Sequence, residues 1–234
     1  MSSPRKRLLL GFAWANLALI IVATSVWLSK PAAPPLIQGV LLQNSRALDD
    51  FILLDHNGQA FINKHLQGAW HIVSYGFTHC PDVCPTTLST LAQVASKLAA
   101  EGREPLNVLF YSVDHRRDTA TELASYMPFF NESFLGLTHL DDSSNPHLPF
   151  EQGLGIFAQL SPDDSAASAN DSAAYQVSHG ISLLLLNPQG QLQAIFKPGE
   201  NQLGVKVFDP DTLYRDYLKI RFYYDTPVVA SATP

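Results

Sequence analysis

The sequence predicts an α/β fold, a mixed sheet flanked by helices, with an N-terminal transmembrane helix ahead of it. Three observations carry that reading. Apolar runs at 70–77, 106–113 and 181–186, rich in β-branched or leucine and aromatic residues, have the length of buried strands. Helical spacing follows the first two, from Thr86 to about Ala100 and over 119–130. The uncharged run 8–28, about 21 residues, is long enough to span a bilayer. Strands alternating with helices, then a closing hairpin and helix, argue for one mixed sheet.

Taken in order, the chain opens with a basic segment, 1–7, containing Arg5-Lys6-Arg7. Such a cluster stays on the cytoplasmic side, which sends everything after the anchor at 8–28 outward. A cleaved secretory signal is the alternative. The apolar run is longer than a typical signal core, and no clean small-x-small cleavage site follows it. Residues 29–44 read as a linker, stiffened by Pro31-Ala32-Ala33-Pro34-Pro35. The globular domain is expected at 45–222 and a flexible tail at 223–234. The expected location is the inner (plasma) membrane, single-pass, with the domain in the periplasm.

Within the domain, 51–61 reads as a hairpin turning at Asn57-Gly58. The strand at 70–77 leads into a helix whose apolar positions are Leu88, Leu91, Val94, Ala95 and Leu98, closed by Glu101-Gly102. The second strand, 106–113, ends at Asp114, and Asp118 is placed to cap the helix at 119–130. A further strand is expected at 135–140. Residues 150–160 fit helix and strand equally. The small, polar, acidic stretch 161–174 reads as a surface loop. The strand at 181–186 turns at Asn187-Pro188-Gln189-Gly190 into a partner at 191–196. A closing helix at 211–222 presents Leu213, Tyr217, Leu218 and Ile220.

With 46% hydrophobic residues the chain can bury a core without a disulfide scaffold. Every acidic residue lies after the anchor. Four of the 15 Lys and Arg stand at or before Lys30, so 11 basic residues face 21 acidic ones outside, a net charge of −10. That balance argues against a nucleic-acid partner, which requires a basic face. A cationic partner or a metal ion fits that balance, as does simple solubility.

The two cysteines, Cys80 and Cys84, stand together in Phe77-Thr78-His79-Cys80-Pro81-Asp82-Val83-Cys84-Pro85. Three intervening residues close too short a loop for a structural disulfide to gain much. The pair suits reversible redox chemistry or a shared soft metal ion; two small buried hydrophobes are the bland alternative. At a strand-to-helix turn the free backbone N–H groups favour negative charge, which is expected to lower the thiol pKa. Asp82 is either a first-turn cap or part of the metal site.

Of the eight histidines, His179 is the strongest candidate for a third ligand. It precedes the strand at 181, which would carry it to the edge of the sheet where the cysteine turn lies. Two thiolates and one imidazole form a three-coordinate set suited to copper, Cu(I) or Cu(II). A loop histidine that merely packs is the alternative. His79 is a fallback ligand, although adjacent residues usually point apart. His56, His65, His71, His115, His139 and His147 have no clustered partners in the sequence and read as surface or core residues.

The run from Gly76 to Thr86, Gly-Phe-Thr-His-Cys-Pro-Asp-Val-Cys-Pro-Thr, resembles the signature of the Sco/SenC family, which are membrane-anchored, thioredoxin-like copper proteins. Ser112-Val113-Asp114 with Arg117-Asp118-Thr119, Gly136-Leu137-Thr138, Tyr175 through His179 and Asn187-Pro188-Gln189-Gly190 are similar to further family segments. The resemblance covers about 45–222 and includes the anchor. It implies a thioredoxin-like domain holding copper at Cys80, Cys84 and His179. It also implies assembly of the copper site of cytochrome c oxidase, with the copper-bearing subunit as partner and another copper chaperone or a thiol reductase as further partners. The chain departs from the family pattern at Ser178, where an Asp is usual, at His115, where a Pro is common, and in the stretch 161–174.

Two functions compete. The first is a metallochaperone. The second is a thiol-disulfide oxidoreductase using Cys80 and Cys84 as its redox-active pair. Against the second, thioredoxin-like reductases usually place two residues between the cysteines and carry a cis-proline where this chain has His179-Gly180-Ile181. A thiol peroxidase is weaker still, since Cys84 alone could resolve an oxidised Cys80.

Overall fold

A computed structural model of the chain describes residues 4–28, 33–140, 144–162 and 175–225. Side chains are described over 12–24 of the first helix, and not for 160–162, 175, 176, 178 or 179. Residues 29–32 of the expected linker, 163–174 of the expected loop and 226–234 of the tail lie outside the described residues. In chain order the elements are α1 (Pro4–Leu28), β1 (Gly39–Arg46), β2 (Ile52–Asp55), β3 (Ala60–Ile62), β4 (His71–Gly76), α2 (Val83–Ala100), β5 (Asn107–Ser112), α3 (Ala120–Tyr126), β6 (Leu135–Thr138), α4 (Leu148–Leu154), β7 (Ala158–Pro162), β8 (Tyr175–His179), β9 (Leu183–Leu186), β10 (Leu192–Phe196), β11 (Gly199–Glu200), β12 (Lys206–Val207) and α5 (Pro210–Asp225).

The chain divides into two compact units. One is Leu36–Tyr217; the other joins Met1–Pro35 and Leu218–Pro234. In the second unit, the described side chains of α1, among them Phe12, Trp14 and Ile20, are exposed. Among the described residues no helix is long and apolar enough to cross a membrane.

The first unit is built on an eight-stranded sheet ordered β1-β10-β9-β4-β5-β6-β2-β3. β4, β5 and β6 run parallel at its centre, and every other pairing is antiparallel. This is the expected mixed sheet flanked by helices. Parallel neighbours cannot be joined by a tight turn, so α2 carries the chain from β4 to β5 and α3 from β5 to β6. The C-terminal ends of β4, β5 and β6 therefore share one rim. β9 is antiparallel to β4, so its N-terminal end lies at that rim too. β9 is wholly leucine and β4 is buried along almost all its length, as central strands covered on both faces are. α2 buries Leu88, Leu91, Val94 and Leu98, each contributing about 1.5–3 kcal/mol on transfer from water. Phe51, Leu53, Tyr111, Leu137, Phe150 and Leu184 form part of one continuous core cluster.

Several elements differ from expectation. β1 lies partly within the segment read as linker; its side chains Gln43 and Asn44 are exposed, so no apolar alternation marked it. α2 starts at Val83, three residues early, with Pro85 tolerated in the first turn. α3 ends at Tyr126, and Met127–Phe129 tightens into a 3-10 turn because Pro128 lacks the N–H a longer helix requires. Its cap is Thr119, whose hydroxyl accepts the Glu122 N–H at 3.3 Å; Asp118 is turned inward instead. The ambiguous stretch 150–160 resolves into the end of α4, a left-handed Gly155 (φ 70°, ψ 34°) and the start of β7. β8, a strand that no apolar run in the sequence marks, pairs antiparallel with β7.

The buried His71 of β4 supplies a pH handle on stability. Its Nδ1 lies 3.1 Å from the Ala69 carbonyl. Burial lowers its pKa below 6.5, and that backbone hydrogen bond only partly opposes the shift. Because the folded pKa is depressed, the unfolded chain binds the extra proton first. The associated stability is present above about pH 6.5 and is lost as pH falls from there towards the folded pKa. Thermal midpoints measured from pH 8 to 5 are expected to fall along this limb, and less steeply in His71→Gln. Equal slopes would show that His71 does not set the limb.

Candidate metal centre

The chain leaves the centre of the sheet at Gly76 and turns through Phe77–Asp82 before α2 begins. Cys80 is half-buried in this turn, and Cys84, in the first turn of α2, is 3% exposed. No disulfide joins them. The backbone N–H of Cys84 points at Cys80 Sγ, 3.4 Å away. The turn thus does what a continuous helix would have done, bringing the two cysteines together from one side. Gly76 is required by this packing: a Cβ there would collide with Cys84 Sγ and press Phe110 at 3.4 Å.

The expectation of a lowered thiol pKa fails at Cys84. Burial pushes that thiol well up, outweighing a backbone hydrogen bond from Phe77; the neighbouring Cys80 and Asp118 add to the rise. Desolvation of a sulfur at 3% exposure exceeds what a helix start returns. Asp82 occupies the cap position but makes no side-chain cap bond.

The turn is held by a residue read earlier as a helix cap. Asp118 is fully buried. Its Oδ2 accepts the Thr78 N–H at 2.8 Å and the Ser112 hydroxyl at 2.6 Å, and its Oδ1 accepts the Thr78 hydroxyl at 2.6 Å. The carboxylate therefore ties the cysteine turn to the end of β5. His79 directs its Nδ1 to the Thr78 hydroxyl at 3.0 Å and to Asp118 at 3.8 Å. Arg117 lies over the Phe77 ring at 5.9 Å while bonding Asp114 at 2.5 Å. Tyr126, which sequence reading did not single out, ends α3 with a buried hydroxyl that has no hydrogen-bond partner among the described residues. Burial, then the charges of Cys84, Cys80 and Asp118, push its pKa up.

His179 is the last residue of β8, opposite Ala158 of β7. Its side chain lies outside the described residues. Its backbone position follows from register. Leu183 pairs with Ser74, so the chain before β9 runs back alongside 75–77 towards the cysteine turn. Consistent with this, a Cβ at Gly180 would come within 2.9 Å of the Tyr75 hydroxyl.

Comparison with known proteins shows which family the chain belongs to. The SCO1/SenC family model matches residues 41–205. The chain belongs to the SCO1/SenC family. The mitochondrial SCO2 homolog of Bos taurus is 37% identical over 142 residues, 60% of this chain and 50% of that protein. The Mus musculus SCO2 homolog is 34% identical over 181 residues, 77% of this chain and 65% of that protein. The chain thus spans between half and two thirds of these relatives. The crystal structure of yeast Sco1 with copper bound superposes with a TM-score of 0.62 at 26% identity, covering 81% of this chain and 95% of that one.

This SCO1/SenC chain carries a second constellation along the same rim. His115 follows β5, His139 follows β6, and His147 heads α4. The His115 and His139 rings stack with centroids 4.2 Å apart, and His139 and His147 at 3.6 Å. These three were expected to lack clustered partners; strand order, invisible in their spacing, brings them together. Tyr111 lies beneath them, its hydroxyl 2.6 Å from Glu151 Oε1 and 2.5 Å from His139 Nε2. Burial, then His139, lowers the His147 pKa to about 4. Burial raises Glu151, but hydrogen bonds from His139 and Tyr111 outweigh it and hold the carboxyl below its usual range. Two further histidines are engaged elsewhere: His56 Nδ1 accepts the Gly136 N–H at 2.9 Å, and His65 Nδ1 the Ile62 N–H at 3.0 Å.

Proposed function

We propose that this chain is a copper metallochaperone holding its cargo at Cys80, Cys84 and His179. Its recipient is the copper-bearing subunit of cytochrome c oxidase. The observation that carries this reading is the juxtaposition of Cys80, in the turn after β4, and Cys84, in the first turn of α2, at the rim towards which the chain before β9 runs. Two sulfurs and an imidazole are a soft donor set, which favours Cu(I) over harder ions. The rest of the turn fits such a cargo. Gly76 leaves space for Cys84 Sγ, and the buried Tyr126 hydroxyl has no hydrogen-bond partner among the described residues. The solved relative with copper bound supports copper as the cargo. The helix Pro4–Leu28 would anchor the chain in the inner membrane, with the domain in the periplasm.

Under reducing conditions the chain is expected to bind one Cu(I) at this site. His179→Ala is expected to weaken binding by about tenfold to a hundredfold, read by competition with a Cu(I) chelator. Unchanged affinity would remove His179 from the ligand set.

A second reading is favoured by the contrast between the cysteines. Half-buried Cys80 could attack a target disulfide, forming a mixed disulfide and releasing one target thiolate. Buried Cys84 would then attack Cys80 Sγ, releasing the second target thiol and leaving a Cys80–Cys84 disulfide. Two electrons pass to the target. Metal-free, reduced chain should then reduce an oxidised oxidase peptide stoichiometrically; no exchange would leave the chaperone reading alone.

A further inference from the structure

We propose that His139, His147 and Glu151 form a second metal site, separate from the cysteine pair, that takes a borderline divalent ion such as Zn²⁺ or Cu²⁺. One donor atom from each of the three residues lies within 4.8 Å of the other two. They arrive from different elements: His139 from the end of β6, His147 and Glu151 from successive turns at the head of α4. At a separation of four residues, His147 and Glu151 share one face of that helix.

Three further observations point to a ligand. His147 is 9% exposed, yet its Nδ1 has no hydrogen-bond partner among the described residues. A buried nitrogen left unpaired costs free energy that a bound ion would recover. A cavity of about 510 Å³ opens onto the two imidazoles of the cluster, His139 and His147, and is lined also by His115, Thr119 and Asn145, with room for an ion and its waters. Tyr111 supplies the outer support that metal-binding imidazoles use. Its hydroxyl donates to Glu151 Oε1, so it accepts from His139 Nε2–H. That fixes the tautomer and leaves His139 Nδ1 with its lone pair. Glu151 keeps further lone pairs after accepting from Tyr111.

The donor set selects the ion. Two imidazoles and a carboxylate resemble three-ligand zinc sites, which leave one position for water. The absence of sulfur from the set disfavours Cu(I), and the imidazoles disfavour Mg²⁺ and Ca²⁺. His115, stacked on His139, closes the cavity wall.

The test is zinc titration of the full chain with Cys80 and Cys84 oxidised to a disulfide, which removes the thiolates. One Zn²⁺ per chain is expected. Binding should weaken by about tenfold or more in His147→Gln and in Glu151→Gln, and by about tenfold in Tyr111→Phe. Should a variant fail to fold, zinc-edge X-ray absorption on the unsubstituted oxidised chain decides. Nitrogen and oxygen scatterers at about 2.0–2.2 Å, histidine among them, are expected. No bound zinc, sulfur in the zinc shell, or unchanged affinity in folded variants would overturn the site. Because the thiolates are absent throughout, failure here is distinct from failure of Cu(I) binding by the reduced pair.

Discussion

Cu(I) binding at the cysteine turn is expected to disappear when Cys80 and Cys84 are joined in a disulfide, and to return on reduction. The reason is electronic. A thiolate donates a charged lone pair to the metal; a disulfide sulfur has no such charge. The two cysteines are already adjacent, with the Cys84 N–H on Cys80 Sγ, so the bridge could form without unfolding the turn. Loss of binding would then report chemistry rather than disrupted structure. Burial holds the Cys84 thiol protonated in the metal-free chain. Copper must displace that proton, so affinity in the reduced chain should also rise with pH. Competition against a Cu(I) chelator measures this, using His147→Gln so that the histidine cluster does not contribute. A decrease of at least about a hundredfold on oxidation is expected. Equal affinity of oxidised and reduced chain would mean that the sulfurs are not ligands.

Asp118→Ala is expected to destabilise the domain by about 3–5 kcal/mol. Asp118 has no exposed surface, and its carboxylate accepts three hydrogen bonds, two from Thr78 and one from Ser112. Hydrogen bonds to a charged group are worth about 1.5–3 kcal/mol each, and truncation also strands the donors in a buried site. For a domain of this size the loss is roughly 10 °C in thermal midpoint. Asp118→Asn keeps one acceptor oxygen and should lose about half as much. Because Thr78 is two residues from Cys80, both variants should release Cu(I) faster in proportion to their destabilisation. Denaturant titration gives the first quantity and chelator-driven release the second. A loss under about 1 kcal/mol in Asp118→Ala would show that the turn is held by other contacts.

The apolar runs at 70–77, 106–113 and 181–186 were legible because strand burial on both faces leaves an unbroken local signal. The cysteine turn was legible for the same reason: its chemistry lies within nine consecutive residues. β1 was not, because an edge strand with Gln43 and Asn44 exposed carries no apolar period. Asp118 reads as a helix cap in sequence, and only the burial of its carboxylate decided against that role. Cys84 shows a competition between two terms. The helix start was legible and argued for a lower pKa. Burial, which depends on what packs over the sulfur, won.

From sequence alone came the order of the central strands and helices along the chain, the pair of sulfurs near a helix start and the negative charge of the residues after Lys30. These depend on periodicity and short spacing, which neighbouring residues determine among themselves. The tertiary structure decided what meets across the rim: Asp118 with Thr78, Tyr111 with Glu151, and three histidines drawn from the ends of β5 and β6 and the head of α4. Parallel pairing places the ends of successive strands side by side however far apart they lie along the chain. No local pattern records that adjacency, because it arises only when the sheet closes over its core.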